Sequence, residues 1–83
     1  MAEERRNEPR SHALKTGQLA FGHPQEHCDC LVWDIARSGA MIELEPDMTA
    51  PETFRLISTG LSLNQLCEVV WRDGQKLGLK FVI

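Results

Sequence analysis

Residues 67–82 read CEVVWRDGQKLGLKFV, and this stretch decides the fold. It is rich in Val, Leu, Trp and Phe, which are typical of strands, and it is interrupted once by Asp73-Gly74. An Asp-Gly pair accepts the positive φ that a tight antiparallel turn requires. The stretch therefore predicts a β-hairpin with strands at residues 67–72 and 76–82.

Four further strand-like runs precede the hairpin, separated by turns rich in Gly, Pro, Asp and Ser. They cover residues 13–21, 27–35, 40–44 and 53–58. Residues 61–66 are also compatible with a short helix. Short strands with turns at near-regular spacing, and no long segment with a 3.6-residue period, predict an all-β fold that closes into a small six-stranded antiparallel barrel. Closure also hides the sheet edges.

The size and termini of the chain indicate one domain. Its 83 residues suffice for a single small core. Residues 1–11 alternate acidic residues with arginines and lack apolar periodicity, so we predict a flexible arm there and one barrel domain over residues 12–83. No apolar run approaches the roughly 20 residues of a membrane span, and no secretory signal is visible. We therefore expect a cytoplasmic protein without membrane insertion.

The charge of the chain argues against nucleic acid as a partner. The formal net charge is −3, whereas non-specific affinity for DNA comes mostly from phosphate neutralisation by Lys and Arg. A barrel for single-stranded nucleic acid needs a basic groove interleaved with aromatic side chains. The chain has no Tyr, three Phe and two Trp, so we expect neither DNA nor RNA to bind.

Metal binding and catalysis find little support in the sequence. Two histidines and two cysteines lie close together: His23, His27, Cys28 and Cys30. Their spacing fits no common structural zinc site, and no second pair follows. Cysteine is among the most often buried residue types, so we expect core packing and no metal or other cofactor. No nucleophile, base and orienting group form a recognisable set, so we do not expect an enzyme.

Two short motifs carry the functional signal. Arg6 and Arg10 form an RxxxR pair preceded by Arg5, and residues 34–39 read DIARSG between two predicted strands. Arginine can fork onto phosphate oxygens or onto O6 and N7 of guanine. An aspartate accepts hydrogen bonds from the opposite guanine edge, and a glycine lets backbone approach a ligand closely. Together the motifs predict a nucleotide site.

The order and spacing of these motifs resemble the PilZ domain, whose signature is an RxxxR arm followed by a (D/N)xSxxG turn. The resemblance extends through the hairpin to Phe81. It implies a six-stranded barrel that binds the bacterial second messenger cyclic di-GMP and signals to an effector protein. It also implies that Arg6 and Arg10 contact phosphate and guanine with help from Arg5. The predicted ligand-binding residues are Arg5, Arg6, Arg10, Asp34, Ala36, Ser38, Gly39 and Trp71.

One position departs from the family pattern. Ala36 stands where the family turn has serine. Loss of a neutral hydrogen bond costs about 0.5–1.5 kcal/mol, up to roughly tenfold in affinity. Ser38, two residues further on, is a candidate to compensate. We therefore expect weakened rather than absent binding of cyclic di-GMP.

Simpler interpretations of several of these residues also remain open beside the nucleotide site. The arginines of the arm also fit a solvated tail balanced by its acidic residues, and Trp71 fits either a stacking platform for guanine or a tryptophan packed into the barrel wall. Leu31 and Trp33 fall on the strand face opposite Cys30 and Val32, where they predict a partner surface or a covering by the arm. These features favour an alternative function, a degenerate PilZ-like interaction module that binds no nucleotide.

Overall fold

The computed structural model describes residues 11–82, with side chains from residue 14 onward. The elements in this part of the chain are β1 (Ser11–Phe21), β2 (Glu26–Ile35), β3 (Gly39–Leu44), β4 (Thr53–Ser58), a 3₁₀ turn (Thr59–Leu61), β5 (Leu63–Asp73) and β6 (Lys76–Phe81). Each strand pairs antiparallel with its neighbours, and the sheet closes in the order β1-β2-β3-β6-β5-β4. The prediction of an all-β, six-stranded antiparallel barrel is confirmed.

The C-terminal hairpin forms as predicted, with Asp73 opposite Lys76 and a positive φ of 62° at Gly74. Residues 61–66, whose sequence is also compatible with a short helix, do not form one, because β5 already begins at Leu63. The first residues of β5 pair with β4, and this pairing supplies the backbone hydrogen bonds that a helix would otherwise provide.

The barrel interior is filled by alternate side chains of the strands. The buried core consists mainly of Leu19, Cys28, Cys30, Val32, Ile42, Leu44, Phe54, Leu56, Cys67, Leu77 and Leu79. All three cysteines are buried and unpaired, which confirms the prediction that Cys28 and Cys30 pack in the core. Burial raises the pKa of the Cys30 thiol to about 12 and that of Cys67 to about 11, so both stay protonated at neutral pH.

Residues 45–52 close one end of the barrel as they carry the chain from β3 to β4. Ala50 is buried there with the core. Arg72 at the end of β5 donates from Nη2 to the Ala50 carbonyl at 2.9 Å and to Oε2 of Glu52 at 3.2 Å. Arg72 thereby links residues 45–52 to β5. This contact lies near the C-terminal end of β3, whereas the turn at residues 34–39 lies at its N-terminal end.

Three β-bulges lie toward the other end of the barrel. They fall between His12 and Lys15 in β1, at Trp33 in β2 and at Val70 in β5. Because a bulge adds one residue to one strand, it turns the side chains that follow to the opposite face of the sheet. The bulges in β2 and β5 decide which side chains reach the outer wall near the turn.

Candidate functional site

Asp34 reaches the outer wall because of the bulge at Trp33. Val32 points into the core, so uninterrupted alternation would turn Asp34 inward as well. Instead Val32 lies opposite Ile42, and Asp34 lies opposite Met41. Ile42 is fully buried, and Met41, its neighbour in β3, faces outward. Asp34 therefore shares the outer face with Met41.

Trp71 is turned outward by the second bulge. Val69 lies opposite Leu79, which is buried, whereas Trp71 lies opposite Gly78. The Trp71 side chain is 44% exposed and belongs to the outer wall, not to the core. A Cβ built on Gly78 would overlap the indole ring of Trp71, so the ring lies directly against the glycine backbone. The position of this tryptophan thus depends on both the bulge and the glycine.

The turn between β2 and β3 is held by backbone contacts. The N–H of Ala36 donates to the Gly39 carbonyl at 2.8 Å, and the N–H of Phe81 donates to the Ser38 carbonyl at 2.8 Å. A Cβ on Gly39 would overlap the carbonyl oxygen of Leu79 in β6. Glycine is required here for the close approach of β3 to β6, which fixes the turn beside the hairpin.

The turn, β6 and Trp71 together line an open cavity of about 340 Å³ on the outer wall. Four of the residues predicted from the sequence meet there: Ala36, Ser38, Gly39 and Trp71. Asp34 lies next to the cavity, directly across from Met41, one of its lining residues. One surface site therefore gathers most of the described residues that the motifs singled out.

The predicted arginines Arg5, Arg6 and Arg10 lie outside the described residues. The barrel begins at Ser11, which is opposite Ile35 at the end of β2. The segment that carries the arginines therefore joins the barrel beside the turn at residues 34–39. Contact between these arginines and the cavity stays a prediction.

Sequence reasoning missed six residues that line the cavity: Ala40, Met41, Val70, Gly78, Leu79 and Lys80. Alternation from Gly39 along β3 would have found Met41. The hairpin register, counted back from Asp73-Gly74, would have placed Gly78 opposite Trp71. Val70 needed knowledge of the bulge, for which the sequence carries no clear signal.

Leu31 and Trp33, predicted as a partner surface or as covered residues, are both half-buried. The Trp33 indole Nε1–H donates to Oε1 of Glu43 at 2.8 Å, and Lys76 Nζ lies 5.4 Å from the centroid of its ring. Trp33 is therefore covered by side chains of β3 and β6. Leu31 lines a second, larger cavity.

This second cavity lies on the outer wall formed by β4, β1, β2 and β3, with a volume of about 730 Å³. Leu31 and Ile57 contribute apolar surface, and Asp29, Glu43 and Glu45 contribute carboxylates. Among the residues that the structure describes, none that lines it is a Lys or Arg. Its chemistry is apolar and acidic, unlike that of the first cavity.

In residues 11–82 no group of three or more His, Cys, Asp or Glu side chains is arranged to hold a metal ion. Within the same part of the chain, no helix has the length and apolar character needed to cross a membrane.

The described residues thus form a small closed barrel with an open cavity on its wall. A family model described as the PilZ domain matches residues 4–83, so the chain belongs to the PilZ domain family. The predicted family is thereby confirmed. PilZ domains are cyclic di-GMP-binding and adaptor domains rather than enzymes. Searches of curated proteins and of solved structures gave no match.

Proposed function

We propose that this domain binds cyclic di-GMP in the cavity between the turn and Trp71, and that it passes its bound state to an effector protein. One observation carries the proposal. Two bulges turn an acidic acceptor, Asp34, and an aromatic ring, Trp71, to the same outer face beside the turn. Family membership supports this nucleotide as the ligand.

The side chains suit the parts of the nucleotide. The exposed face of Trp71 offers a stacking surface for guanine, which is worth roughly 1–3 kcal/mol per base. Asp34 accepts hydrogen bonds from the N–H groups of a guanine edge. The two phosphates need cations, and we assign that role to Arg6 and Arg10, with Arg5 assisting, because a guanidinium forks onto phosphate oxygens.

The signal to a partner follows from the same arrangement. The arginine-bearing segment enters the barrel beside the cavity, so its engagement with bound phosphates would create a surface that exists only in the liganded state. Ordering of a segment on binding costs free energy but gives a large conformational difference for a partner to recognise.

The alternative function is an interaction module without nucleotide. It is favoured by Ala36 in the turn and by the larger acidic cavity around Leu31. The three carboxylates of that cavity suit a partner segment that carries Lys or Arg between apolar residues. Such a partner would bind the Arg10→Ala variant as well as it binds the wild type. A partner that recognises the nucleotide-bound domain would instead lose binding to the Arg10→Ala variant.

Calorimetric titration of the wild type and of Ala36→Ser with cyclic di-GMP separates the two functions. Ala36 lines the cavity, so a serine at this position would place a hydroxyl at the cavity wall. We expect saturable binding by the wild type and up to roughly tenfold tighter binding by the variant. Binding by the variant alone would establish a degenerate domain, and weaker binding by the variant would refute this account of the turn.

Gly78→Ala tests the role of Trp71. The added methyl group must displace the indole, because it would overlap the ring atoms. The backbone at Gly78 lies outside the left-handed region, so alanine itself causes no conformational strain there. We expect about tenfold weaker binding of cyclic di-GMP, within the range for loss of base stacking, together with a changed tryptophan fluorescence spectrum.

Gly60→Ala is the matched control for that variant. Among the described residues, a Cβ on Gly60 would meet Cδ of Lys15 alone, at an ordinary contact distance of 3.5 Å. Its affinity and fluorescence should equal those of the wild type. A displaced indole in Gly78→Ala with unchanged affinity would show that Trp71 does not stack on the ligand.

A further inference from the structure

Lys80 carries the only charge among the described residues that line the candidate nucleotide cavity. It lies in β6 directly opposite Gly39 of β3 on one side and Glu68 of β5 on the other. Because directly opposed residues share a face of the sheet, the lysine has a glycine without a side chain on one flank and a carboxylate on the other. Its stem is free to lean in either direction.

In this structure the lysine leans toward the carboxylate. Nζ of Lys80 lies 3.6 Å from Oε1 of Glu68, and the two side chains are 62% and 49% exposed. An ion pair this exposed is screened by water and salt and contributes little to stability. The pair can therefore be opened at small cost when a stronger anion arrives over Gly39.

We infer that Lys80 is a phosphate-binding residue of this site and that Glu68 competes with the nucleotide for it. The inference rests on the proposed function, since it assumes that cyclic di-GMP occupies the cavity. An ammonium on a flexible four-carbon stem makes charge-assisted hydrogen bonds to phosphate oxygens from several directions. Glu68 opposes binding in two ways, by holding the lysine and by repelling the phosphates.

Lys76 supplies a control on the same strand. It also faces outward from β6, but its ammonium lies over the Trp33 ring and it does not line the cavity. Replacing either lysine removes one positive charge from the domain. A difference between the two variants therefore reports position rather than net charge.

The test is a double-mutant cycle of Lys80→Met and Glu68→Gln. The Kd for cyclic di-GMP is measured by titration at several salt concentrations. Lys80→Met should raise Kd about tenfold and reduce its dependence on salt, whereas Lys76→Met should change neither by more than about twofold. Glu68→Gln should lower Kd about threefold, because it frees the lysine and removes a repelling charge. In the Lys80→Met background, most of the gain from Glu68→Gln should disappear. Lys80→Arg should retain the affinity, and thermal melts should stay close to the wild type in all variants.

The outcomes distinguish this inference from the function on which it rests. No saturable binding by the wild type would overturn both. Binding by the wild type with an unchanged Kd in Lys80→Met would overturn the role of the lysine and leave the nucleotide site intact. Weaker binding of cyclic di-GMP by both Lys80→Met and Glu68→Gln would show that the ion pair itself supports the site. The inference that Glu68 competes with the nucleotide for Lys80 would then be wrong.

Discussion

The Gly39→Ala variant is expected to lose about 3 kcal/mol of unfolding free energy, from the strain of an added methyl group and from weakened backbone hydrogen bonds. The methyl group would overlap the carbonyl oxygen of Leu79, and this backbone atom cannot yield unless β3 separates from β6. Separation weakens the hydrogen bond from Phe81 N–H to the Ser38 carbonyl, and it disturbs the bond between Ala36 and Gly39. Gly39 is therefore required for the stability of the barrel, whether or not a ligand binds.

Chemical denaturation of the wild type, Gly39→Ala and Gly60→Ala measures this effect. A loss of this size in a domain of this length lowers Tm by roughly 12–24 °C. Gly60→Ala should be neutral or slightly stabilising, because alanine reduces the entropy of the unfolded chain where the site has room for it. Equal stability of all three proteins would contradict the close approach of β3 and β6 at the turn.

The Arg10→Ala variant is expected to bind cyclic di-GMP about 10–150-fold more weakly, which corresponds to roughly 1.5–3 kcal/mol for a hydrogen bond to a charged group. Beyond Lys80, the described wall of the cavity offers no positive charge, while the ligand brings two phosphates. Arg10 directly precedes Ser11, the first residue of β1, and the barrel begins beside the turn at that point. The variant should also show a shallower dependence of affinity on salt, because one phosphate contact is lost.

Arg55→Ala is the matched control for the loss of an arginine. Arg55 is an exposed residue of β4 that donates from Nε to Oδ1 of Asn64 at 2.9 Å, and it does not line the cavity. Its removal should leave the affinity unchanged. Similar losses in both variants would mean that net charge, not a contact near the turn, governs binding.

Much of the fold was predictable because its local signals agree. The Asp73-Gly74 turn fixed the last hairpin, and short strand-like runs separated by turn residues identified the other four strands. The sequence left a short helix open at residues 61–66, because their pairing with β4 is a long-range effect that local sequence does not reveal. Propensity gives way to tertiary contacts in such short segments.

The sequence predicted the motifs of the candidate site, but it did not predict which of their side chains share one outer surface. Strict alternation would have turned Asp34 toward the core with Val32, and only the bulge at Trp33 brings it outward. The bulge at Val70 does the same for Trp71. Bulges depend on the registers of two paired strands at once, so one strand read alone does not locate them. Lys80 was missed for a related reason, since its place beside Gly39 is a cross-strand contact.

The measurement that tests the central claim most directly is a calorimetric titration of the purified domain with cyclic di-GMP, with cyclic di-AMP as the control ligand. The account predicts saturable heat with cyclic di-GMP and little with cyclic di-AMP, because the proposed role of Asp34 is to contact a guanine edge. The stoichiometry will show whether one nucleotide or an intercalated pair binds. No heat and no thermal shift at high concentrations of cyclic di-GMP would contradict the account and would leave the interaction module as its replacement.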